Sequence, residues 1–152
     1  MADRMLAAVR RPPWWAIAAA AVVVVVVTGL IVYPWGPEPV VVNGRVTGSV
    51  QVPAGRQLHV DFGRVSSGVG DKWLLTAAPD PGILRDLGED WADAPECEGV
   101  GCEHFMGWRF DALRAGTTSV TFQYCYRSLP PQCQTEPSRG PAAPVVLTVT
   151  VT

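Results

Sequence analysis

Val120-Thr121-Phe122-Gln123-Tyr124-Cys125-Tyr126 carries a large apolar side chain at every second position. Successive side chains of an extended chain point to opposite faces. Val120, Phe122, Tyr124 and Tyr126 therefore share one face, and Thr121, Gln123 and Cys125 share the other. Such alternation predicts a strand with one buried face. The same period returns downstream, where Val145, Leu147, Val149 and Val151 alternate with Thr148, Thr150 and Thr152. Upstream it returns in Met106, Trp108, Phe110 and Ala112, and again in Leu58, Val60 and Phe62 against Gln57, His59 and Asp61.

Shorter runs complete the set. Val46 to Val52 ends at Pro53-Ala54-Gly55, and Trp73 with Leu75 begins a run broken by Pro79 to Gly82. Ile83, Leu84 and Leu87 predict a weak strand or a single turn. No segment after residue 35 has a helical period. Roughly seven short strands with turn residues between them predict an all-β, immunoglobulin-like β-sandwich. Trp73, Trp108 and Phe122 should dominate its core, because aromatic side chains bury the most area each.

The N-terminal part obeys different physics. Residues 14–33 read WWAIAAAAVVVVVVTGLIVY, with no charged side chain. At helical rise that run spans about 30 Å, the thickness of the hydrocarbon core. Backbone groups in lipid must be satisfied internally, so the run predicts a transmembrane helix despite the strand propensity of Val22 to Val27. Trp14, Trp15, Tyr33 and Trp35 suit the two interfaces, and Arg4, Arg10 and Arg11 place the N-terminus inside. The expectation is a single-pass cell-membrane protein. Residues 1–13 would be cytoplasmic, 14–33 the anchor, 34–45 a Pro-rich spacer with Pro34, Pro37 and Pro39, and 46–152 an extracytoplasmic domain. A cleaved signal peptide is the alternative reading. Tyr33-Pro34-Trp35 stands where cleavage would need small residues.

The chain of 152 residues has room for one domain beyond that segment, and a net charge of −2 provides no field for a polyanion. Nucleic-acid binding is excluded on that ground. The four cysteines, Cys97, Cys102, Cys125 and Cys133, form an even set beyond a membrane-targeting segment. Such a set predicts two disulfides. Local pairing, 97 with 102 and 125 with 133, is the expected choice among the connectivities that remain open. A metal site built from these cysteines and His104 is the rival, but no paired C-x-x-C knuckle is present.

The acidic stretch Asp86, Glu89, Asp90, Asp93, Glu96, Glu98 and Glu103 lacks calcium-loop spacing and reads as a solvated loop. His59 reads as a surface residue and His104 as a loop residue. Asp61 and Asp71 have no partners that suggest hydrolysis, and Ser66 and Ser67 have no G-x-S-x-G context. Nucleophile, base and orienter are not assembled. The chain is read as no enzyme, with no cofactor and no metal.

Residues 46–152 resemble the chagasin-type inhibitors of papain-like cysteine proteases. Gly70 followed by Asp71-Lys72-Trp73 is similar to the family's first loop, although Ser66-Ser67-Gly68-Val69 replaces its Asn-Pro-Thr-Thr. Gly99-Val100-Gly101-Cys102, ahead of Trp108-Arg109-Phe110-Asp111-Ala112, stands in the place of the glycine-rich second loop. Tyr124-Cys125-Tyr126-Arg127-Ser128-Leu129 resembles the third, keeping the arginine and losing the proline and aromatic. The resemblance implies an immunoglobulin-like sandwich whose three loops enter a protease cleft. The implied contacts are Ser66, Ser67, Gly68, Val69, Gly70, Gly99, Val100, Gly101, Arg127, Ser128 and Leu129. The alternative on the same scaffold is a non-inhibitory structural or interaction module of the cell envelope.

Overall fold

Alternating side chains form stable strands only where a second layer covers the apolar face. In the computed structural model, which describes residues 37–94, 102–129 and 132–152, two sheets cover each other. Eight strands lie in the described residues: β1 (Val40–Asn43), β2 (Gly48–Val52), β3 (Gln57–Val65), β4 (Asp71–Ala77), β5 (Leu84–Asp93), β6 (His104–Ala112), β7 (Gly116–Tyr126) and β8 (Val145–Val151). One sheet has the order β1-β3-β6-β5 and the other β2-β8-β7-β4. β1 runs parallel to β3, and β2 parallel to β8; the remaining pairs are antiparallel. The segment expected to span a membrane, 14–33, lies outside the described residues. Among those described, no helix is long and apolar enough to cross one.

The expected alternation is seen in the burial of β3, β6, β7 and β8. Leu58, Val60 and Phe62 of β3, Met106, Trp108, Phe110 and Ala112 of β6, and Val120, Phe122 and Tyr124 of β7 are all buried. Phe122 joins the layers: its ring lies 5.0 Å from Phe62, 5.7 Å from Trp108 and 6.3 Å from Phe110, centroid to centroid. Trp73 of β4 stacks on Phe62 at 4.5 Å. The three aromatics expected to dominate the core are therefore in it.

Val40–Asn43, expected to be spacer, is a strand. The chain then changes sheets at Gly44-Arg45. Gly44 donates to the Asp61 carbonyl at 2.7 Å, and a Cβ there would lie 2.5 Å from Cε1 of Phe62 and 2.7 Å from Cγ1 of Val60. Only glycine lets the crossing chain lie this close to the core.

The larger departure is β5. A weak strand or turn was expected at Leu84 and a solvated loop over the acids, yet Leu84–Asp93 is a ten-residue strand. Among the described residues it lies at a sheet edge and pairs with β6 alone, so burial imposes little periodicity on its sequence. A bulge at Gly88 (φ 89°) breaks the register. Asp86 Oδ1 accepts both the Gly88 N–H and the Trp108 indole N–H, at 2.8 and 2.6 Å. Charges and a bulge on an edge oppose pairing with other chains. His59 is half-buried rather than simply exposed. Its ring passes over Gly107, where a Cβ would lie 2.0 Å from Nε2, and reaches Asp90 at 3.7 Å.

Across the same sheet Arg85 pairs with Asp111, and this hydrogen bond holds the Asp111 carboxyl below its ordinary range. A carboxyl depressed by folding stabilises the fold fully above its unfolded value of about 3.9, and that stabilisation is lost as pH falls through the lower folded value. Arg85→Ala should therefore lower stability by up to about 1 kcal/mol at pH 7. Urea titrations of variant and parent should converge at pH 2.

A loop-bearing end of the sandwich as candidate binding site

Strand register decides which connections leave from the same end. Val65 of β3 and Asp93 of β5 both lie opposite His104 of β6. In the other sheet Asp71 of β4 lies opposite Tyr126 of β7. Only residues 66–70 separate Val65 from Asp71, so the two sheets share that end. The β3–β4, β5–β6 and β7–β8 connections, which carry the three expected contact loops, all leave from it.

The first loop is compact. Ser67–Val69 forms one 3₁₀ turn closed by Gly70 at φ 101°. The N–H groups of Val69 and Asp71 both donate to the Ser66 carbonyl at 3.2 Å. Ser66 is buried, Ser67 and Gly68 are exposed, and Val69 and Gly70 are half-buried.

The third loop is fastened to the first. The Arg127 N–H donates to the Gly70 carbonyl at 2.8 Å, and its Nε donates to the Val69 carbonyl at 3.0 Å. The guanidinium lies 5.0 Å above the Tyr126 ring. Arg127 itself is held at φ 51°, a conformation uncommon for a side-chain-bearing residue. A Cβ on Gly70 would come within 2.6 Å of Arg127 Cγ, so the close contact requires glycine at 70. The sequence suggested Arg127 as a donor across an interface; here its Nε is spent within the domain. Cys125 and Cys133 are bridged, as expected. The Ser128 hydroxyl donates to the Tyr126 carbonyl at 3.0 Å and accepts the Gln134 N–H at 2.6 Å. Leu129 remains 57% exposed beyond this bracing.

Of the second loop, Cys97, Gly99, Val100 and Gly101 lie outside the described residues. Cys102 is disulfide-bonded. His104 begins β6 rather than lying in the loop, and its Nδ1 is 3.1 Å from Asp93 Oδ1. Trp91, 43% exposed, meets the His104 ring edge-on at 6.4 Å. Among the described residues no cluster of His, Cys, Asp and Glu is arranged to hold a metal ion.

Beneath the loops lies a polar node that pattern reading passed over. Asp71 Oδ1 accepts the Tyr124 hydroxyl at 2.6 Å, and Oδ2 accepts Arg139 Nη1 at 2.8 Å and the Ser66 N–H at 3.3 Å. Burial, and then the Asp71 carboxylate, push the Tyr124 hydroxyl well above the usual phenol range. The bond to Asp71 likewise raises Arg139. Gly140 sits against the Tyr124 ring, where a Cβ would lie 2.4 Å from Cγ. Arg139 and Gly140 thus anchor the far half of the β7–β8 connection. The available signal was parity. Asp71 occupies the same face of its strand as Trp73, and a carboxylate on a buried face requires partners.

These elements define a class by geometry: a two-sheet immunoglobulin-like sandwich presenting three loops at one end. No family model matches the chain, and no curated protein matches its sequence. Solved structures do match. The cysteine protease inhibitor EhICP2 from Entamoeba histolytica aligns with a TM-score of 0.54 at 12% identity, over 77% of this chain and 100% of its own. The solution structure of Amebosin aligns with a TM-score of 0.55 at 9% identity, over 76% of this chain and 100% of its own. The fold is the chagasin-like one.

Proposed function

We propose that this chain is a membrane-anchored, extracytoplasmic protein-binding domain that inhibits papain-like cysteine proteases by filling their cleft with the three loops. The observation that carries the reading is the gathering of those connections at one end, with the first and third locked together by Arg127. A neighbour of the same fold is named as a cysteine protease inhibitor. Preorganised loops bind with little ordering cost, which suits an inhibitor that performs no chemistry of its own. Exposed Ser67, Gly68 and Leu129 are the groups left to touch a partner, and Arg127 acts as their brace. Anchoring through residues 14–33 would hold the loops at the outer membrane face.

The test is titration of papain with the purified full chain. Stoichiometric loss of activity is expected. Arg127→Ala should weaken it about tenfold or more by freeing the two loops, while the far-ultraviolet circular dichroism stays that of the parent. Absence of inhibition across papain-like enzymes would overturn the reading. It would favour the non-inhibitory envelope module, to which the inward use of Arg127 already lends support.

A further inference from the structure

On the flank of the loop-bearing end, a groove of about 590 Å³ opens between the start of β4 and the third loop. Among the described residues it is lined by Lys72, Arg127, Ser128, Leu129, Gln132 and Gln134. Its charged side chains are two cations, in a chain whose net charge is −2. Elsewhere the domain gives its arginines carboxylates to hold: Arg64 has Glu103, Arg85 has Asp111, Arg109 has Asp90 and Arg139 has Asp71. Among the described residues neither Lys72 nor Arg127 has a carboxylate within ion-pair distance. Arg127 is also held in place. Its backbone N–H and its Nε are tied to the Gly70 and Val69 carbonyls, and its guanidinium rests over the Tyr126 ring. No hydrogen bond among the described residues uses its two terminal nitrogens. A guanidinium fork fixed in this way loses little freedom on meeting a carboxylate.

A second observation is independent of charge. Among the described residues β4 is an edge strand, paired with β7 alone. The edge strand β5 is guarded by several acids, but β4 carries Lys72 as its one exposed charge, with half-buried Leu74 and Leu75 beyond it. An open edge is a template for another extended chain. Proteins that recognise extended peptides add them to such an edge, and pockets beside it select the side chains. Here the groove beside Lys72 is that pocket. Leu129, 57% exposed, supplies an apolar contact on its loop wall.

We propose that this groove and the adjoining edge of β4 dock an extended, acidic segment of a protein partner. An Asp or Glu side chain of that segment enters the groove to meet Lys72 and Arg127, and a neighbouring apolar side chain covers Leu129. Charge-assisted bonds from guanidinium and ammonium groups to a carboxylate are the strong ones, and they select the partner by sign. The site goes beyond protease inhibition: Ser67 and Gly68 of the first loop take no part in it, and the partner need not be a protease.

The test probes a positional-scanning library of immobilised octapeptides, each position fixed in turn as one amino acid, with the detergent-solubilised full chain. Retention is expected where Asp or Glu is fixed at a central position, and more strongly where an apolar residue adjoins it. The affinity of a peptide built from the best positions is then measured by fluorescence anisotropy. Lys72→Gln should weaken it about fivefold and Lys72→Glu about tenfold or more. Lys72 is exposed, so both variants should keep the parent's circular dichroism. Replacing the peptide's acid by its amide should weaken binding to the parent and not to Lys72→Glu, the signature of a direct pair. A library without an acidic preference overturns the site, and so does a Lys72→Glu variant that binds as the parent does. A dimer of the chain that Lys72→Glu disperses in sedimentation, with no peptide retained, overturns it in favour of a second copy. The papain titration is read separately. Acidic preference without inhibition removes only the inhibitor reading, and inhibition without acidic preference removes only this site.

Discussion

Phe122→Ala is expected to reduce the unfolding free energy by about 3–5 kcal/mol, a loss comparable to the whole stability of many domains this size. Phe122 is fully buried in β7 and contacts Phe62, Trp108 and Phe110 of the facing sheet. Truncation removes the side chain that joins the layers, and three rings cannot all move to fill the space. Cost therefore includes the cavity as well as the lost transfer energy. Phe122→Leu, which keeps most of the volume, should cost well under half as much. Urea unfolding followed by tryptophan fluorescence measures both. A Phe122→Ala midpoint within error of the parent's would mean that the two sheets do not pack through this ring.

Asp71→Ala is expected to cost about 2–4 kcal/mol, through a different mechanism. Its carboxylate is the acceptor for the buried Tyr124 hydroxyl and the anchor for Arg139. Removing it orphans the hydroxyl inside the core and releases the guanidinium to solvent. The second effect has a local signature. Amide hydrogen exchange should accelerate across residues 132–144, where Arg139 and Gly140 fasten the chain, and much less across β3 and β6. Asp71→Asn, which can still accept the Tyr124 hydroxyl but lacks the charge, should retain most of the stability and lose most of the loop protection. Uniform exchange throughout the domain in Asp71→Asn would show that the node stabilises the fold without anchoring the loop.

Strands whose inner face is covered were legible because burial enforces period two. Val120 to Tyr126, Val145 to Val151, Met106 to Ala112 and Leu58 to Phe62 each write that constraint into every second residue. β5 was not legible, since an edge strand paired on one side feels little of it. Its acids looked like a loop because a charged side chain at an edge costs nothing that burial would charge elsewhere. β1 was missed for the opposite reason: four residues are too few to show a period.

The candidate site divides in the same way. Ser66 to Gly70 and Arg127 to Leu129 were found from their order along the chain. That Arg127 braces Val69 and Gly70 could not be read from the sequence, nor could the joining of Asp71, Tyr124 and Arg139, whose members are up to 68 residues apart. Hydrogen-bond partnership depends on positions within a few tenths of an ångström, and a one-dimensional pattern does not carry them.

By itself, then, the sequence determined which residues face inward in the covered strands, and with them the two-layered all-β class; it offered the bridge between Cys125 and Cys133 only as one of several open pairings, which the structure settles. The facing and the class follow from a local rule, side-chain alternation. Tertiary structure alone decided which connections share an end and which arginine is spent inside the domain. Each of these depends on strand register and chain crossing, quantities set by long-range packing between segments that are distant in sequence.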